Sequence, residues 1–485
     1  MQRIALDALD AATRRGISYA DVRVVESRDR SLTTKNGQPG HLSSSHTLGV
    51  GIRVLAHGGW GFASTDDISP QGFQAAAALA CEIARSGSAL KNHDVTLAPE
   101  DPHQAVWAGP CRVDPFAIPV DRQLALLLDI DAELRRQDGV TLTETNLFFE
   151  RRRQIFASSI GSLIDQTRTV TGAGFCALSF QDDEIQKRSY PNSFGGQYQL
   201  GGYEIVEGLA LLENAPRIAG EAVALHSADQ CPEGEYNLIL DGSQLALQIH
   251  ESVGHPAELD RVLGSEANYA GMSFLTIEHL NRLRYGSDIV NVVADARPSH
   301  GPGLGTFAFD DEGVSAQSND LIRNGLFTGF LTSRETAAMV GQSRSSGAMR
   351  ADGWSRTPLI RMTNVSLLPG EQSLEELLAG VPHAIYMETN KSWSIDDKRY
   401  HFQFGCEIAW EIRHGRRVRM LKNPTYSGIT TEFWNSCEAI AGPENWVLWG
   451  VPNCGKGQPE QVMGTGHGAA PARFRRIKIG GGYSG

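Results

Sequence analysis

The sequence predicts an α+β fold, in which an N-terminal α/β domain precedes a β-rich C-terminal domain. Two observations predict this fold. The first 90 residues show strand–strand–helix order rather than a chain of βαβ units. The last third combines many glycines with two strong hairpin signals, Asn324-Gly325 and His414-Gly415. A chain of 485 residues is also long enough for two or three domains that each bury a core.

Hydrophobic periodicity places the elements of the first half. The expected elements are a helix over 4–15, strands over 20–25, 47–55 and 60–65, and helices over 71–86, 120–137 and 203–225. Residues 92–119 hold five of the 21 prolines and predict a connecting segment. Short β-type runs over 140–180, with breaks at 150–153 and 161, predict a meander of hairpins.

The polar stretch 226–235 is the expected boundary between the two halves of the chain. We therefore expect an N-terminal α+β domain over 1–230, with the meander and helices in its second part, and a β-rich domain over 231–485. The second domain is predicted to open with a strand and then a helix, which begins at the N-cap Ser243 and runs through His250.

Charge and composition exclude several classes of protein. With 44 Lys and Arg against 56 Asp and Glu, the formal charge of −12 disfavours broad nucleic-acid binding, which needs a basic surface. No apolar run reaches the ~18 residues of a membrane span, and no signal-peptide pattern is visible at the N-terminus. Seven cysteines at irregular spacing argue against a disulfide framework. We therefore expect a cytoplasmic protein without nucleic-acid or membrane partners.

The most informative segment is the HExxxH string from His250 to His255. Two histidines, with a carboxylate directly after the first, are the residue types of a hydrolytic zinc site, in which Glu251 would be the general base. The histidines are five residues apart, which on an ideal α-helix separates them by roughly 140°. They can face one ion only if the helix is deformed, as in a π-type turn with i→i+5 closure. Gly254 is where the backbone would yield most easily.

The string has a plain alternative, which is a polar helix end with ordinary solvated histidines. A catalytic zinc also usually has three protein ligands, so two histidines are not enough. The candidates for the third ligand are Glu258, Glu266, Glu278, His279, His467 and a cysteine. Among the cysteines, Cys454 lies in a glycine-rich segment near Lys456, which predicts an exposed loop and a stabilised thiolate. The segments around Cys81, Cys176 and Cys406 are more typical of core positions.

Other residues have structural as well as functional interpretations. The acidic run 310–313 suggests a calcium loop, but it lacks EF-hand spacing and is interpreted as a structural turn. Trp60 is expected in a core or an interface, and His401 is expected to pack. Lys456 is an oxyanion donor or, as we expect, a solvated loop lysine, and His467 is an oxyanion donor or incidental.

Several short motifs occur in one order along nearly the whole chain. They are ADVRV at 20–24, GVGIRV at 49–54, GWGFAST at 59–65, the HExxxH string, FDDEG at 309–313, LIRNG at 321–325, RMTNV at 361–365, LPG at 368–370, NCGK at 453–456 and IGG at 479–481. With these motifs the sequence resembles the TldD/PmbA family of bacterial metallopeptidases, and specifically its TldD-type subunit.

The resemblance implies a zinc-dependent peptidase whose β-rich C-terminal domain carries the metal. By that resemblance, His250, His255 and Cys454 would bind Zn²⁺, and Glu251 would be the catalytic base. It also implies a dimer that encloses the site in a tunnel, commonly with a PmbA/TldE-like partner subunit that lacks the motif; a homodimer is the alternative. The implied substrates are short or unfolded peptides, including precursors of peptide natural products and a plasmid antitoxin.

Two segments depart from the family pattern. Glu388–Ser394 replaces a glycine-rich segment with bulkier and more polar residues, and residues 453–478 lack the usual small and apolar run. These departures leave the four site residues intact. Two alternatives to a peptidase stay open at this point: a non-catalytic PmbA/TldE-like partner subunit, and a hydrolase of non-peptide amides.

Overall fold

Within residues 1–90, 93–269, 271–457 and 460–480, which the computed structural model describes, two eight-stranded sheets carry a mixed α+β fold, as predicted. The strands are β1 Tyr19–Lys35, β2 Gln38–Ala56, β3 Gly59–Thr65, β4 Gln104–Ala108, β5 Val140–Ser158, β6 Leu163–Gln181, β7 Glu184–Tyr190, β8 Gln197–Leu200, β9 Asp229–Gln230, β10 Gly234–Leu240, β11 Val292–Asp295, β12 Ser318–Arg323, β13 Leu326–Phe327, β14 Met349–Arg350, β15 Leu359–Ile360, β16 Val365–Leu367, β17 His383–Ile395, β18 His401–Arg413, β19 Arg416–Lys422, β20 Thr425–Ile429, β21 Cys437–Ile440, β22 Val447–Lys456, β23 Gln461–Ala469 and β24 Ala472–Ile479. The α-helices are α1 Gln2–Thr13, α2 Pro70–Ser88, α3 Val120–Leu134, α4 Glu204–Gly208, α5 Leu211–Ala224, α6 Gly242–Ile249, α7 Leu259–Val262, α8 Leu374–Ala379 and α9 Thr430–Asn435. A π turn spans His250–Gly254, and 3₁₀ turns span Leu225–Ser227, His255–Ala257, Ile277–His279, Pro298–His300, Ala337–Val340 and Pro443–Asn445.

The N-terminal sheet has the strand order β3-β2-β1-β5-β6-β4, and β7 and β8 pair with β6. Helices α1 and α2 pack together against it through small buried residues such as Ala8, Ala77 and Ala80. Helices α3 and α5 pack against β5 and β6, with Leu127 and Ile218 in their shared core. The apolar stripes of these helices therefore supply the core of the first half.

The predicted meander over 140–180 is instead one hairpin of two long strands, β5 and β6. The break expected at 150–153 is wrong because the charged side chains there find partners while their backbone stays in the sheet. Arg153, for example, lies 2.7 Å from Asp165 on the neighbouring strand. The turn between the two strands falls at the other predicted break, near residue 161.

Three further expectations differ from the structure. The helix expected over 203–225 is divided into α4 and α5, because Ala210 adopts a left-handed φ of 49°. The expected connection 92–119, whose first residue lies outside the described ranges, contains β4, which pairs in parallel with β6. Helix α6 is capped by Asp241, whose carboxylate accepts the backbone N–H of Ser243 at 2.9 Å, so Ser243 lies inside the helix.

The C-terminal sheet has the strand order β17-β10-β24-β20-β18-β19-β9, and β21 pairs with β24. Because β17 also pairs with β18, five of these strands close a ring. The hairpins expected at Asn324-Gly325 and His414-Gly415 are confirmed as β12–β13 and β18–β19. Helix α6 packs between β17 and the β22–β23 hairpin, and this position brings its C-terminal end to the site described below.

The boundary between residues 230 and 231 stays a prediction. Strand β9, which lies directly before it, pairs with β19 of the C-terminal sheet. Residues 481–485 of the predicted second domain lie outside the described ranges. In the part of the chain that the structure describes, no helix is both long and apolar enough to cross a membrane.

The acidic run that begins at Asp310 joins the two halves of the molecule. Asp311 lies 3.6 Å from Arg23, and Glu312 lies 3.1 Å from Arg53, both of which belong to the N-terminal sheet. The carboxylate of Asp310 accepts two backbone N–H groups of its own turn at 2.9 Å. The run is therefore the structural turn that the sequence predicts, and its acids anchor one half of the chain to the other.

Two predictions about aromatic rings have different outcomes. Trp60 lies at the junction of the two halves, where its Nε1 donates to Glu335 at 2.9 Å and the Arg53 guanidinium lies 4.3 Å from its ring centre. The side chain of His401 is 63% exposed and lies 2.8 Å from Asp396. The expected packing of His401 is therefore wrong, because its ring pairs with a surface carboxylate.

Replacing Arg53 with leucine should lower the free energy of unfolding by about 3–5 kcal/mol, because the carboxylates of Asp21 and Glu312 would stay buried without their shared cation. Chemical denaturation followed by circular dichroism measures the change. The matched control is Arg14→Leu, which removes an exposed ion pair with Asp10 and should change stability by less than about 1 kcal/mol. Equal effects of the two substitutions would contradict the anchoring role.

Candidate metal centre

The HExxxH string forms a π turn between α6 and a 3₁₀ turn. The π turn spans His250–Gly254, and the 3₁₀ turn spans His255–Ala257. The backbone N–H of His255 donates to the carbonyl of His250, which is the i→i+5 closure that the five-residue spacing demands. The two imidazole rings consequently lie side by side, with centroids 4.7 Å apart. The predicted deformation of the helix is confirmed.

Pro256 explains why the α-helical pattern cannot continue through this segment. A proline has no N–H for the carbonyl four residues earlier, which here belongs to Ser252. The hydroxyl of Tyr285 donates to that carbonyl instead, and Tyr285 is fully buried. The acceptor is therefore satisfied away from water. The proline directly after the second histidine is therefore a signal in the sequence that the α-helical pattern ends here.

Gly254 is required by close packing rather than by backbone freedom. Its φ of −61° is an ordinary helical value. A Cβ at this position would lie 2.0 Å from Sδ of Met362, far inside van der Waals contact. The expected role of Gly254 as a yielding point is therefore replaced by a steric role.

Cys454 reaches the histidines on a strand rather than on a loop. It lies in β22 opposite Met463 of β23, and it is only 3% exposed. The exposed loop expected here is wrong because the segment pairs its backbone with β23. The buried guanidinium of Arg361 also holds the hairpin, since it donates to the carbonyls of Cys454 and Gln461.

The donor atoms of His250, His255 and Cys454 all lie within 4.8 Å of one another. Sγ of Cys454 is 3.6 Å from Nε2 of His255. A tetrahedral zinc, with bonds of about 2.1 Å to nitrogen and about 2.3 Å to sulfur, separates two such atoms by about 3.6 Å. The donor types and their spacing therefore fit a zinc ion. No other group of three such side chains this close together occurs among the described residues.

Hydrogen bonds to the Nδ1 atoms leave both Nε2 atoms available to a metal ion. Nδ1 of His255 lies 2.9 Å from the carboxylate of Glu258, so this nitrogen carries the proton. Nδ1 of His467 donates to the carbonyl of Val365 at 2.9 Å, which makes Nε2 of His467 an acceptor. That acceptor lies 2.8 Å from Nδ1 of His250, so His250 donates there. Metal-binding histidines are commonly oriented in this way.

Burial and nearby charges favour the protonation states that bind metal. Burial lowers the pKa of His250 to about 4, and burial also lowers the pKa values of His255 and His467. Burial raises the pKa of the Cys454 thiol, but His255 and Arg361 outweigh it, so this pKa falls below its ordinary value. Neutral imidazoles and a thiolate are the forms in which these side chains bind metal ions.

Glu258 is part of a buried charged group behind His255. Burial raises the pKa of Glu258, but Lys456, His255 and Arg261 hold that pKa well below its usual range. Lys456 is fully buried, with Nζ 2.7 Å from Asp260 and 3.5 Å from Glu258. The expectation of a solvated loop lysine is therefore wrong, because Lys456 neutralises these carboxylates.

Glu251 is held by an arginine that the sequence analysis missed. Nη1 of Arg399 lies 2.5 Å from Oε2 of Glu251, and both side chains are largely buried. Arg399 adopts a left-handed φ of 63° in the turn between β17 and β18, where the Thr430 hydroxyl donates to its carbonyl at 2.9 Å. No local sequence pattern connects Arg399 to Glu251, because the chain separates them by 148 residues.

The remaining candidates for a third ligand either lie away from the cluster or contact the rings of His250 and His255. Glu258 and His467 contact the histidine rings through Nδ1, as described above. Glu266 accepts the backbone N–H of Gly457 at 3.2 Å. Glu278 and His279 lie in a 3₁₀ turn with no buried residue, where His279 caps the turn. His467 is thus an orienting residue rather than an incidental one.

The segment Glu388–Ser394, which departs from the family pattern, continues β17 beside β18. The pairing contains a bulge between Asn390 and Ser392, and Thr389 adopts a φ of 59°. Bulges bend a strand locally, so β17 is expected to bend within this segment. In the other departing segment, residues 458 and 459 lie outside the described ranges.

Comparison with known proteins now gives the class of protein. Residues 233–481 match the PmbA/TldA metallopeptidase C-terminal domain, and residues 20–84 match PmbA/TldA metallopeptidase domain 1. The chain therefore belongs to the PmbA/TldD metallopeptidase family, as the sequence predicted.

Individual relatives agree with this assignment. A protein of Methanothermobacter thermautotrophicus named metalloprotease is 29% identical over 465 residues, which are 96% of each chain. A protein of Saccharolobus solfataricus named zinc metalloprotease TldD homolog is 28% identical over 257 residues, 51% of this chain and 52% of that one. TldE from Thermococcus kodakarensis shares the fold, with a TM-score of 0.73 and 16% identity over 99% of this chain and 100% of that one. The relatives include archaeal proteins, so the family is not confined to bacteria.

Replacing Gly254 with alanine should weaken zinc binding and lower stability by about 1–3 kcal/mol, because the new methyl group overlaps Met362 and displaces the π turn. Isothermal titration with zinc and thermal unfolding measure both effects. The control is Gly220→Ala in α5, where a Cβ meets nothing within 4 Å and should stabilise by up to about 1 kcal/mol. The paired substitution Gly254→Ala with Met362→Ala should cost less than the sum of the two alone. Strict additivity would contradict the steric explanation.

Replacing His467 with alanine should weaken zinc binding by about 10–100-fold, because His250 would lose the acceptor that orients its ring. Replacing His467 with glutamine should recover part of the loss, since an amide oxygen can accept the same proton. His46→Ala is the control, because that side chain is 63% exposed and lies in the N-terminal sheet. A competition titration against a zinc-chelating dye measures the affinities, and unchanged affinity in His467→Ala would rule out the orienting role.

Proposed function

We propose that this protein is a zinc-dependent peptidase that hydrolyses short or unfolded peptides. The proposed zinc ligands are His250, His255 and Cys454, and the proposed general base is Glu251. One observation carries the proposal: two imidazoles and a thiol from distant parts of the chain bring their donor atoms within 4.8 Å of one another, at spacings that suit a tetrahedral ion. The name of the Saccharolobus relative also supports zinc as the metal.

In the proposed reaction, the metal ion and the side chains of the protein have different roles. A bound zinc ion would polarise the scissile carbonyl and make the attacking water more acidic. Glu251 directly follows His250 on the same π turn. It would take a proton from the attacking water and deliver it to the leaving amine. Arg399 fixes the position of this carboxylate through the ion pair at 2.5 Å.

The assembly and location of the protein are also proposals. We propose that the chain works in the cytoplasm, with a PmbA/TldE-like partner subunit or with a second copy of itself. The fold likeness to TldE supports a partner of the same architecture. A non-catalytic role for this chain is disfavoured by the intact cluster and by the buried groups that orient it.

The Glu251→Gln variant should keep zinc and lose turnover by about 10²–10⁴-fold, because glutamine cannot accept the proton. Cys454→Ser and His255→Ala should lose zinc as well as activity. Zinc content by elemental analysis and hydrolysis of an unstructured peptide measure the two properties, with and without a PmbA/TldE-like subunit. Removal of zinc by a chelator should abolish activity, and zinc should restore it.

Two results would contradict these assignments. A zinc-loaded Glu251→Gln variant with normal turnover would refute the proposed base. Normal zinc content in Cys454→Ser would refute the third ligand. A small amide that is hydrolysed in preference to every peptide would favour the amide hydrolase.

A further inference from the structure

A cavity of about 470 Å³ lies between the N-terminal sheet and the β22–β23 hairpin. Part of its wall is basic and consists of Arg152, Arg168 and Arg350. Another part is apolar and includes Tyr198, Leu304 and Met463. Its volume is in the range of small-ligand pockets, which are about 300–1,000 Å³.

The three arginines have no carboxylate partner. Arg152 and Arg168 are directly opposite each other in the β5–β6 pairing. Arg152 donates to the carbonyl of Ala351 at 3.0 Å, and Arg350 donates to two further carbonyls at 2.8 and 3.1 Å. Within the described parts of the chain, the side chain of Arg168 has no hydrogen bond or ion pair, and none of the three guanidinium groups lies within 4.0 Å of an acidic oxygen.

Four acids among the described residues lie around this wall, and none of them is within 4.0 Å of its three guanidinium groups. Asp311 acts electrostatically on Arg168 and Arg350, but its closest ion pair is with Arg23 at 3.6 Å. Asp29 accepts the Ser45 hydroxyl at 2.8 Å, and Asp352 accepts the backbone N–H of Val462 at 3.0 Å. Glu150 also lines the cavity, but it lies beyond ion-pair distance of all three guanidinium groups. The basic wall thus presents guanidinium groups that have no direct carboxylate partner, while the acids that line the cavity equal them in number.

Guanidinium groups without a direct carboxylate partner favour an anionic ligand. Burial lowers the pKa of Arg168, and the neighbouring Arg152 lowers it further, while Glu150 and Asp311 oppose the shift only in part. A guanidinium fork matches the two oxygens of a carboxylate. The apolar wall beside it suits a hydrophobic side chain attached to the same ligand.

The cavity is adjacent to the metal centre along β23. Side chains two residues apart on a strand share a face, so Met463, Thr465 and His467 share one face of β23. Thr465 and His467 contact His250, whereas Met463 lines the cavity. Two residues along a strand span about 7 Å, so Met463 in the cavity wall lies about that far from Thr465, whose hydroxyl is 3.3 Å from Nδ1 of His250.

We propose that this cavity is a subsite for the C-terminal carboxylate and the apolar last side chain of a peptide, with Arg168 as the main carboxylate contact. The inference rests on the proposed peptidase function and narrows it. The enzyme then removes short fragments from the C-terminus of its substrates.

The test compares a fluorescein-labelled Ala-Ala-Phe peptide with a free C-terminal acid and the same peptide as a C-terminal amide. Fluorescence anisotropy measures the binding of each to the full chain carrying Glu251→Gln, which prevents hydrolysis. We expect the acid to bind about ten-fold more tightly than the amide, because only the acid forms charge-assisted hydrogen bonds. Adding Arg168→Gln should reduce this preference to less than about two-fold, and Arg168→Lys should keep part of it.

Arg122→Gln is the matched control, because it removes an exposed arginine from α3, which does not line this cavity. Equal affinity for acid and amide, or a preference that persists in Arg168→Gln, would overturn the proposal. Binding of inorganic phosphate without any acid preference among the peptides would overturn it as well. Hydrolysis is measured separately on the zinc-loaded protein without Glu251→Gln. Acid preference in the binding test with no hydrolysis by that protein would refute the proposed peptidase and support the binding subsite, whereas hydrolysis without acid preference would refute the subsite alone.

Discussion

The i→i+5 closure between His250 and His255 is the constraint on which the arrangement of the site depends. Regular α-helical geometry would point the two rings about 140° apart. The wider turn brings them to one side, and Pro256 prevents the α-helical ladder from re-forming across it. Tyr285 then satisfies the carbonyl that the proline leaves open. One local departure from helical geometry, supported by a distant tyrosine, thus gives the histidines a common direction.

The two rings are oriented from opposite sides by separate polar groups. His250 depends on a relay through His467 to a carbonyl of β16, which also lies against β23. His255 depends on Glu258, whose charge is balanced by Lys456 on β22. Both groups include side chains of the hairpin that carries Cys454. The hairpin therefore orients the histidines through His467 and Lys456 and also supplies the thiol.

The parts of the molecule that sequence reasoning predicted well are those determined by nearby residues. Some sequence patterns depend on only a few neighbouring residues: alternating apolar residues, Asn-Gly and His-Gly turns, and the spacing of the two histidines. The hairpins and the π turn that these patterns predict are present. The errors concern residues whose environment is built from distant segments. Lys456 and Cys454 were expected in an exposed loop, because glycine-rich composition cannot show that β23 covers them. Arg399 could not be found at all, since its contact with Glu251 exists only in the folded chain.

The separation of the proposed ligands along the chain has a consequence for synthesis on the ribosome. Proteins fold progressively from the N-terminus as they are made. His255 is synthesised 199 residues before Cys454, and His250 is synthesised earlier still. A nascent or prematurely terminated polypeptide therefore holds an incomplete donor set. The proposed donor set is therefore complete only after translation has passed the strand that carries Cys454, so a chain that stops earlier would have the two imidazoles without the thiol.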